Sequence, residues 1–300
     1  RFISHWKPES TIFIESEIWP NIFLNLKKKS IGLKIFNGRM SERSFINWKK
    51  FDFFSRKIFQ LIDECFVQDQ QSMDRFKELG VKKVKKIKNL KFLSETLNVN
   101  EKNFKSLKKQ LSNMKVVTLF SSHEGEENLL LNCYKILSRK IDNIFFIIIP
   151  RHINRINKIT QEIKKEKVPY KLRTAKNLKI TNEKFLIVNT FGELGLFFKL
   201  SHIALIGGSF SNYGGHNPIE TSHFECSLVF GPYMDNFNDI KNIILKNGAG
   251  FQVKDLNHLI KKIEQLLKNK KLNSTTHKKF RYLCKQKSKE TEIMLKKLLK

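Results

Sequence analysis

The chain has 300 residues, of which 40% are hydrophobic and 26 are phenylalanine, and this composition fills the cores of two ordinary domains while excluding an intrinsically disordered protein. The formal net charge of +29 indicates an acidic partner, such as nucleic acid, an anionic membrane face or a phosphorylated substrate. A general compositional bias toward lysine explains the excess charge equally well.

Strands and helices alternate along the first third of the chain. Strands are predicted over residues 11–14, 33–36, 65–68 and 84–87, and helices over residues 20–29, 42–62 and 71–79. This alternation predicts a parallel sheet with right-handed crossovers. We interpret residues 1–93 as part of one Rossmann-like domain whose start is missing, since Arg1 is not a start methionine and the chain opens just before a strand.

A second alternating unit is predicted over residues 115–275, after a polar stretch at residues 94–114 that we interpret as a short helix and a linker. Its predicted strands cover residues 116–120, 143–149, 185–188, 203–206, 228–230 and 250–253. Its predicted helices begin near Ser121, at Ile153 and at Leu256, and residues 276–300 form a further, basic helix. We therefore predict an α/β chain of two doubly wound domains whose strand ends face a cleft.

Neither the cysteines nor the histidines suggest a metal site. The four cysteines lie far apart without a Cys-x-x-Cys pair, and the spacing of His123, His152 and His216 is not that of metal ligands. A reducing cytosol is the simplest setting for such cysteines. The longest apolar run, residues 144–149, is far too short to span a membrane. No metal or other cofactor is expected.

A glycine-rich stretch follows the predicted strand at residues 203–206. It contains Gly208 and Ser209, and further along Asn217 and Pro218 predict the start of a helix, with Glu220 in its first turn. Glycines and a helix N-terminus suit an anionic ligand, and a first-turn glutamate suits ligand hydroxyls, so the stretch indicates a sugar nucleotide. Paired glycines after a strand more often form only a turn, but the whole arrangement favours a ligand site.

Two further segments of the second unit follow strands directly. Arg151 comes after the buried strand at residues 143–149, where its guanidinium is suited to a phosphate, although a solvent-facing cation is the alternative. Gly192 permits close approach of a ligand to the backbone. Glu193 is equally suited to a ribose hydroxyl and to capping a helix.

In the first unit, two carboxylates and two cations lie near predicted strand ends. Glu15 and Glu17 are suited to act on an acceptor hydroxyl or to stabilise positive charge, but they are also typical of acids placed at a helix N-terminus. Arg39 is suited to an anionic substrate group. Lys91 is one lysine among many, and composition alone does not single it out.

Seven segments of the chain closely resemble, in the same order, the motifs of the Kdo (3-deoxy-D-manno-octulosonic acid) transferases of lipid A biosynthesis. They span nearly the whole chain, and their order is far more specific than any single glycine loop. The segments are Glu15-Ser16-Glu17-Ile18-Trp19-Pro20-Asn21, Asn37-Gly38-Arg39-Met40-Ser41-Glu42-Arg43-Ser44, Asn89-Leu90-Lys91-Phe92, Ser122-His123-Glu124-Gly125-Glu126-Glu127, Pro150-Arg151-His152, Gly192-Glu193-Leu194-Gly195, and Gly207-Gly208-Ser209 with His216-Asn217-Pro218-Ile219-Glu220.

The resemblance implies a GT-B glycosyltransferase that moves Kdo from CMP-Kdo to the lipid A precursor lipid IVA, at the cytoplasmic face of the inner membrane and without a metal. It implies that Glu15 and Lys91 support the transition state, and we expect Glu17 and Arg39 to bind the acceptor. The expected donor site comprises Pro150, Arg151, Phe191, Gly192, Glu193, Gly208, Ser209, Asn217, Pro218, Ile219 and Glu220. Phe191 stands where the family usually has methionine.

The family's general base is a glutamate that lies N-terminal to the Glu15 motif, after a membrane anchor, and this sequence contains neither. We therefore expect the chain to bind CMP but to transfer Kdo inefficiently. Two alternatives stay open, namely a GT-B transferase that uses a UDP-sugar and a nucleic-acid-binding protein. The second is disfavoured because the basic residues are spread along the chain without an aromatic-interleaved stripe.

Overall fold

The computed structural model describes residues 2–174 and 178–298, which form two compact units. Unit 1 combines residues 2–93 with residues 287–298, and unit 2 comprises residues 94–286. Strands and helices alternate in both units and every strand pairing is parallel, as predicted for doubly wound α/β domains.

Unit 1 is built on a four-stranded sheet in the order β1-β2-β3-β4. Its strands are β1 (Ser10–Ile14), β2 (Gly32–Gly38), β3 (Glu64–Val67) and β4 (Val84–Lys86). Its helices are α1 (Phe2–Trp6), α2 (Pro20–Lys28), α3 (Glu42–Lys49), α4 (Asp52–Phe59) and α5 (Gln70–Glu78), and a 3₁₀ helix covers Leu90–Leu93. Phe23, Phe59 and Phe76 are fully buried in its core, where they pack among mostly aliphatic side chains.

The single helix predicted over residues 42–62 is wrong, because the chain forms α3 and α4 instead. Phe51 separates them with φ −119° and ψ 48°, outside the helical region. The Ser55 hydroxyl donates to the Trp48 carbonyl at 2.6 Å and stabilises the turn. The stretch contains neither glycine nor proline, so the sequence carries no ordinary signal for this break.

Unit 2 is built on a seven-stranded sheet in the order β11-β10-β9-β5-β6-β8-β7. Its strands are β5 (Lys115–Ser122), β6 (Ile144–Pro150), β7 (Tyr170–Leu172), β8 (Phe185–Ile187), β9 (Ile203–Ile206), β10 (Ser227–Phe230) and β11 (Phe251–Gln252). Its α-helices are α6 (Glu101–Gln110), α7 (Glu126–Leu137), α8 (Ile156–Lys165), α9 (Leu194–Leu200), α10 (Asn238–Lys246), α11 (Leu256–Lys268) and the first part of α12 (Lys270–Leu298). Every residue of β6 is buried, as expected for a central parallel strand covered on both faces.

The units divide the chain differently from the expected boundaries. Residues 94–114 belong to unit 2 rather than to a linker, and they contain α6, which buries Leu107. Helix α12 begins at Lys270, before the expected residue 276, and from residue 287 onward it belongs to unit 1. Residues 299 and 300 of the predicted tail helix lie outside the described residues. None of the described helices is both long enough and apolar enough to cross a bilayer.

The end of α12 joins unit 1 through a small apolar cluster. Met294, Leu295 and Leu298 pack against Phe36 and its buried neighbours on the sheet. We expect Met294→Ala to lower the free energy of unfolding of unit 1 by about 1–2 kcal/mol, since it removes a partly buried thioether side chain. All three tryptophans lie in unit 1, so tryptophan fluorescence during urea unfolding reports on this unit alone.

The matched control for this prediction is Ile293→Ala, because the Ile293 side chain is 57% exposed on the same helix. It is expected to change the free energy of unfolding by less than about 0.5 kcal/mol. Equal effects of the two substitutions would contradict the packing of this helix end on unit 1.

Candidate functional site

The loop after β9 requires glycine at two successive positions. A Cβ on Gly207 would lie 2.2 Å from the Ser121 carbonyl oxygen, a distance that no side chain tolerates. Gly208 has φ +68°, in the left-handed region, and a Cβ there would lie 3.2 Å from the His123 ring and 3.3 Å from the His216 ring. The two glycines therefore let the loop turn directly off the end of the strand.

A buried carboxylate holds this loop in place. Glu126, in the first turn of α7, is 1% exposed and accepts backbone N–H bonds from Gly208 at 2.8 Å and from Phe210 at 3.0 Å. It also accepts from the N–H groups of Ser211 at 3.3 Å and His123 at 2.9 Å. Burial raises the pKa of Glu126, while the N–H bonds oppose that rise because they favour the ionised form. One side chain thus fixes the backbone of two separate segments.

Ser209 ties the same loop to the next strand. Its buried hydroxyl donates to the Ile206 carbonyl at 2.5 Å and accepts from the Gly231 N–H at 2.8 Å. The sequence predicted Ser209 to bind the donor directly. Its hydroxyl is buried and engaged on both sides, so this group holds the loop, and a donor contact of Ser209 stays a prediction.

A helix begins after Asn217, as predicted, but it is short and not an α-helix. The segment forms only a five-residue 3₁₀ helix, Ile219–His223. The Asn217 side chain still caps it, since its Oδ1 accepts from the Ile219 N–H at 3.1 Å, and its Nδ2 donates to Glu220 Oε1 at 3.3 Å. Asn217 and Glu220 therefore lie together, but no long helix stands behind them to supply a strong dipole.

Three arginines follow strands of unit 2, and two of them are bound to carboxylates. Arg155 forms two hydrogen bonds to buried Glu127, at 3.0 and 2.9 Å, and Arg173 contacts Glu193 at 2.7 Å. Arg151, next to the end of β6, is exposed, and within the described part of the chain its guanidinium makes no hydrogen bond or ion pair. Its donors are thus available to an anion.

The segment after β8 separates into two roles. Glu193 is held by Arg173 and by the Thr190 hydroxyl, so its carboxylate is engaged within the protein. Gly192 has φ +76° with open space around it, and Phe191 is 83% exposed. The structure therefore leaves Phe191 and Gly192 accessible to a ligand, while a donor contact of Glu193 stays a prediction.

Two histidines meet beside the glycine loop. The Nε2 atoms of His123 and His216 are 2.8 Å apart, and the His123 ring stacks on Tyr213 with 4.0 Å between ring centroids. Burial lowers the pKa of His123, and burial together with neighbouring cations lowers the pKa of His216 to about 4. The sequence did not predict that these two histidines form a pair.

In unit 1, the two residues expected to support the transition state contact each other. Lys91 Nζ lies 2.7 Å from Glu15 Oε1. Glu15 has φ +63°, and its N–H donates to the Phe36 carbonyl at 2.9 Å. Buried Asn37, also with positive φ, accepts from the Leu90 N–H at 3.1 Å and so positions the segment that carries Lys91. Three segments of the chain converge on this ion pair.

Glu17 and Arg39 flank the same region of unit 1. The Trp19 indole donates to Glu17 Oε2 at 2.7 Å, and the Ser16 hydroxyl donates to the Arg39 carbonyl at 2.5 Å. These contacts orient the Glu17 carboxylate and fix the backbone at Arg39. Among the residues that the structure describes, no group of three or more His, Cys, Asp or Glu side chains is arranged to hold a metal ion.

Comparison with known proteins gives one consistent set of relatives. The family model described as 3-deoxy-D-manno-octulosonic-acid transferase (kdotransferase) matches residues 1–94. The 3-deoxy-D-manno-octulosonic acid transferase of Rickettsia bellii is 36% identical over 266 residues, which cover 89% of this chain and 63% of that protein. The enzyme of the same name from Aquifex aeolicus is 30% identical over 272 residues, covering 90% of this chain and 69% of that protein. The chain spans less than two thirds of the Rickettsia relative.

Solved structures match the fold. The C-terminal CMP-Kdo binding domain of WaaA from Acinetobacter baumannii aligns with a TM-score of 0.57 and 23% identity, covering 61% of this chain and 96% of that one. The trehalose-6-phosphate synthase OtsA aligns with a TM-score of 0.63 and 11% identity, covering 96% of this chain and 71% of that one. The GT-B fold class predicted from the sequence is confirmed.

We expect Glu126→Gln to destabilise unit 2 by about 2–4 kcal/mol, because the new amide can no longer accept hydrogen bonds at both ends from the N–H groups it faces. Urea unfolding followed by circular dichroism measures the effect, and the tryptophan signal of unit 1 serves as an internal reference.

The matched control is Glu124→Gln, two residues earlier, whose exposed carboxylate only pairs with Lys158. It should change stability by less than about 0.5 kcal/mol. If Glu126→Gln were as mild as this control, Glu126 would not be what holds the loop.

Proposed function

Because the chain belongs to the family of 3-deoxy-D-manno-octulosonic acid transferases, we propose that it serves the transfer of Kdo from CMP-Kdo to lipid IVA in lipopolysaccharide biosynthesis. One observation of the structure supports this proposal above the others. Unit 2, which shares its fold with a CMP-Kdo binding domain, carries a fixed glycine loop beside an arginine that has no carboxylate partner among the described residues.

The donor nucleotide occupies this part of unit 2. Arg151 binds the phosphate and stabilises the charge that develops on CMP as it leaves. The backbone of Gly192 and Gly208 allows close approach, and Glu220, held by Asn217, accepts hydrogen bonds from ribose hydroxyls. The transfer is expected to proceed without a metal, with the Arg151 guanidinium supplying the charge stabilisation.

Unit 1 stabilises the transferred sugar and binds the acceptor. Bond breaking leaves positive charge on the Kdo ring, and the Glu15 carboxylate stabilises that charge, while Lys91 holds the carboxylate in position at 2.7 Å. Glu17 and Arg39 bind the acceptor, with Arg39 suited to its phosphate groups.

Calorimetric titration with CMP and with UMP tests the donor site. We expect CMP to bind at least about tenfold more tightly than UMP, and Arg151→Ala to weaken CMP binding about 10- to 100-fold because it removes a charged hydrogen bond. Glu220→Ala should weaken it about tenfold for the loss of the ribose contact.

The charge-matched control is Arg139→Ala, an exposed arginine of unit 2 outside the site, which should leave CMP affinity unchanged. Tighter binding of UMP than of CMP would refute a CMP-sugar donor and favour a UDP-sugar enzyme, since the solved structure of HepE from Anabaena in complex with UDP has a similar fold.

The acceptor is a lipid, and α3 and α4 form a surface suited to the cytoplasmic face of an anionic membrane. Phe51 is 69% exposed and Phe53 is 76% exposed, and Lys57 lies 4.0 Å from the Phe53 ring centroid. Between residues 42 and 59 the chain has five basic and two acidic residues. Aromatic rings beside lysines suit the boundary between headgroups and acyl chains, where the rings are buried and the cations meet lipid phosphates.

Vesicle co-sedimentation tests this surface. Phe51→Ser together with Phe53→Ser should lower binding to phosphatidylglycerol-containing vesicles by at least about tenfold, because each buried phenyl ring contributes about 1.5–3 kcal/mol. High salt should weaken wild-type binding as well, because it screens the lysines.

The control is Ile293→Ser, which alters an apolar residue of unit 1 that is similarly exposed on another helix. If the control and the double variant lose binding to the same extent, or if neither loses any, then α3 and α4 do not form the membrane surface.

A further inference from the structure

The hydrogen bond between His123 and His216 limits the charge that the two rings carry together. At 2.8 Å, one Nε2 must bear the shared hydrogen and the other must accept it. Two imidazolium rings cannot meet in this way, because both Nε2 atoms would then be donors. The pair is therefore either neutral or singly positive. The neutral pair has one remaining Nδ1–H donor, and the singly positive pair has two.

Most of the groups that face the pair are positive or neutral. Among the nearest residues, Arg155 is already compensated by Glu127 at 2.9 Å. Glu126 accepts a hydrogen bond from the His123 backbone and is satisfied by three further N–H groups. The titratable and charged groups around the pair are Arg151, Arg155, His152, Tyr213, Glu126 and Glu127. Among these groups, Arg151 is exposed and has no carboxylate partner in the described part of the chain.

These surroundings keep the pair neutral in the absence of a ligand. Burial is the main cause that lowers the pKa of both rings, and the charge of Arg151 adds to it. An anion bound next to Arg151 acts in the opposite direction, because a negative charge within a few ångströms favours the protonated ring by about 1–3 pKa units.

We propose that the His123–His216 pair takes up one proton from solvent when an anionic nucleotide binds beside Gly208, and that the positive pair then holds the phosphate together with Arg151. This inference rests on the proposed donor site. The proton adds to the free Nδ1 of one ring, the shared Nε2 hydrogen stays in place, and both Nδ1 atoms become donors. Both rings lie so near Gly208 that an added Cβ would meet them at 3.2 and 3.3 Å, which places the pair at the loop itself.

A purely structural pair would behave differently. It would brace the loop, through the Gly208 contact and the Tyr213 stack, without any change of protonation on binding. Proton uptake on binding therefore separates the two roles, whereas loss of affinity in a variant does not.

The experiment is calorimetric titration of the chain with CMP at about pH 7 in buffers of different ionisation enthalpy, which measures the number of protons taken up. We expect net uptake of a fraction of a proton, and this fraction should grow toward about pH 6. The CMP affinity of the wild type should rise between about pH 8 and pH 6, by about two- to tenfold more than that of the variants below. The sign follows because a pKa that rises from about 4 on binding favours the complex as pH falls.

His216→Gln and, separately, His123→Gln remove one titrating ring while keeping a group able to bond the remaining Nε2. Each should abolish the proton uptake that exceeds the contribution of CMP itself. Each should also remove the additional rise of CMP affinity toward low pH. The phosphate of CMP itself titrates near pH ~6, but it contributes equally to all of the proteins, so their difference isolates the pair. His258→Gln, on α11, is the control and should behave as wild type.

The outcomes distinguish the two proposals. CMP binding with equal proton uptake in wild type and in both glutamine variants would overturn this inference and leave the donor site intact. Failure of wild type to bind CMP at any pH would overturn the donor site and this inference with it. Loss of the excess uptake in both variants, with the control unchanged, supports both proposals.

Discussion

The candidate donor site depends on a single buried carboxylate. Glu126 accepts backbone N–H bonds from the loop after β9 and from the segment after β5, two neighbouring strands of the sheet. A carboxylate is stable in such a buried position only when it is paired with a cation or fully hydrogen-bonded. Because the partners of Glu126 are backbone groups, the backbone conformation of the loop does not depend on a ligand. Preorganisation of this kind lets binding energy go to the ligand rather than to ordering the loop.

Unit 1 uses the same principle with an amide in place of a carboxylate. Asn37 is 1% exposed, and its side chain fixes the segment that carries Lys91, while Glu15 is held through its own backbone at positive φ. Left-handed backbone at a non-glycine residue costs free energy, so it persists where the surroundings require it. In both units, buried polar groups set the positions of the residues that are proposed to bind a ligand.

The sequence predicted the features whose signals lie within a short stretch of the chain. Apolar runs located nearly every central strand, and the glycines at 207 and 208 located the loop, because each signal lies within a few residues of its effect. The contacts that complete the site join residues far apart, since Glu126 and Gly208 are separated by 82 positions and His123 and His216 by 93. The Asn217–Pro218 signal predicted where a helix starts but not its length, which the packing of the following residues decides.

The arginines of unit 2 show how burial separates a structural cation from a functional one. Arg155 and Arg173 are mostly buried, and a buried cation without a carboxylate would be too costly, so each is paired. Arg151 is exposed and has no carboxylate partner among the described residues, so water can solvate it and its donors stay available for the proposed ligand at little cost to stability. The neighbouring His123 and His216 rings are half-buried, which lowers the pKa of both, so in the proposed site they add no repulsion before an anion binds. The proposed donor site thus has one fixed charge, and the proposed second charge forms only when the phosphate is bound.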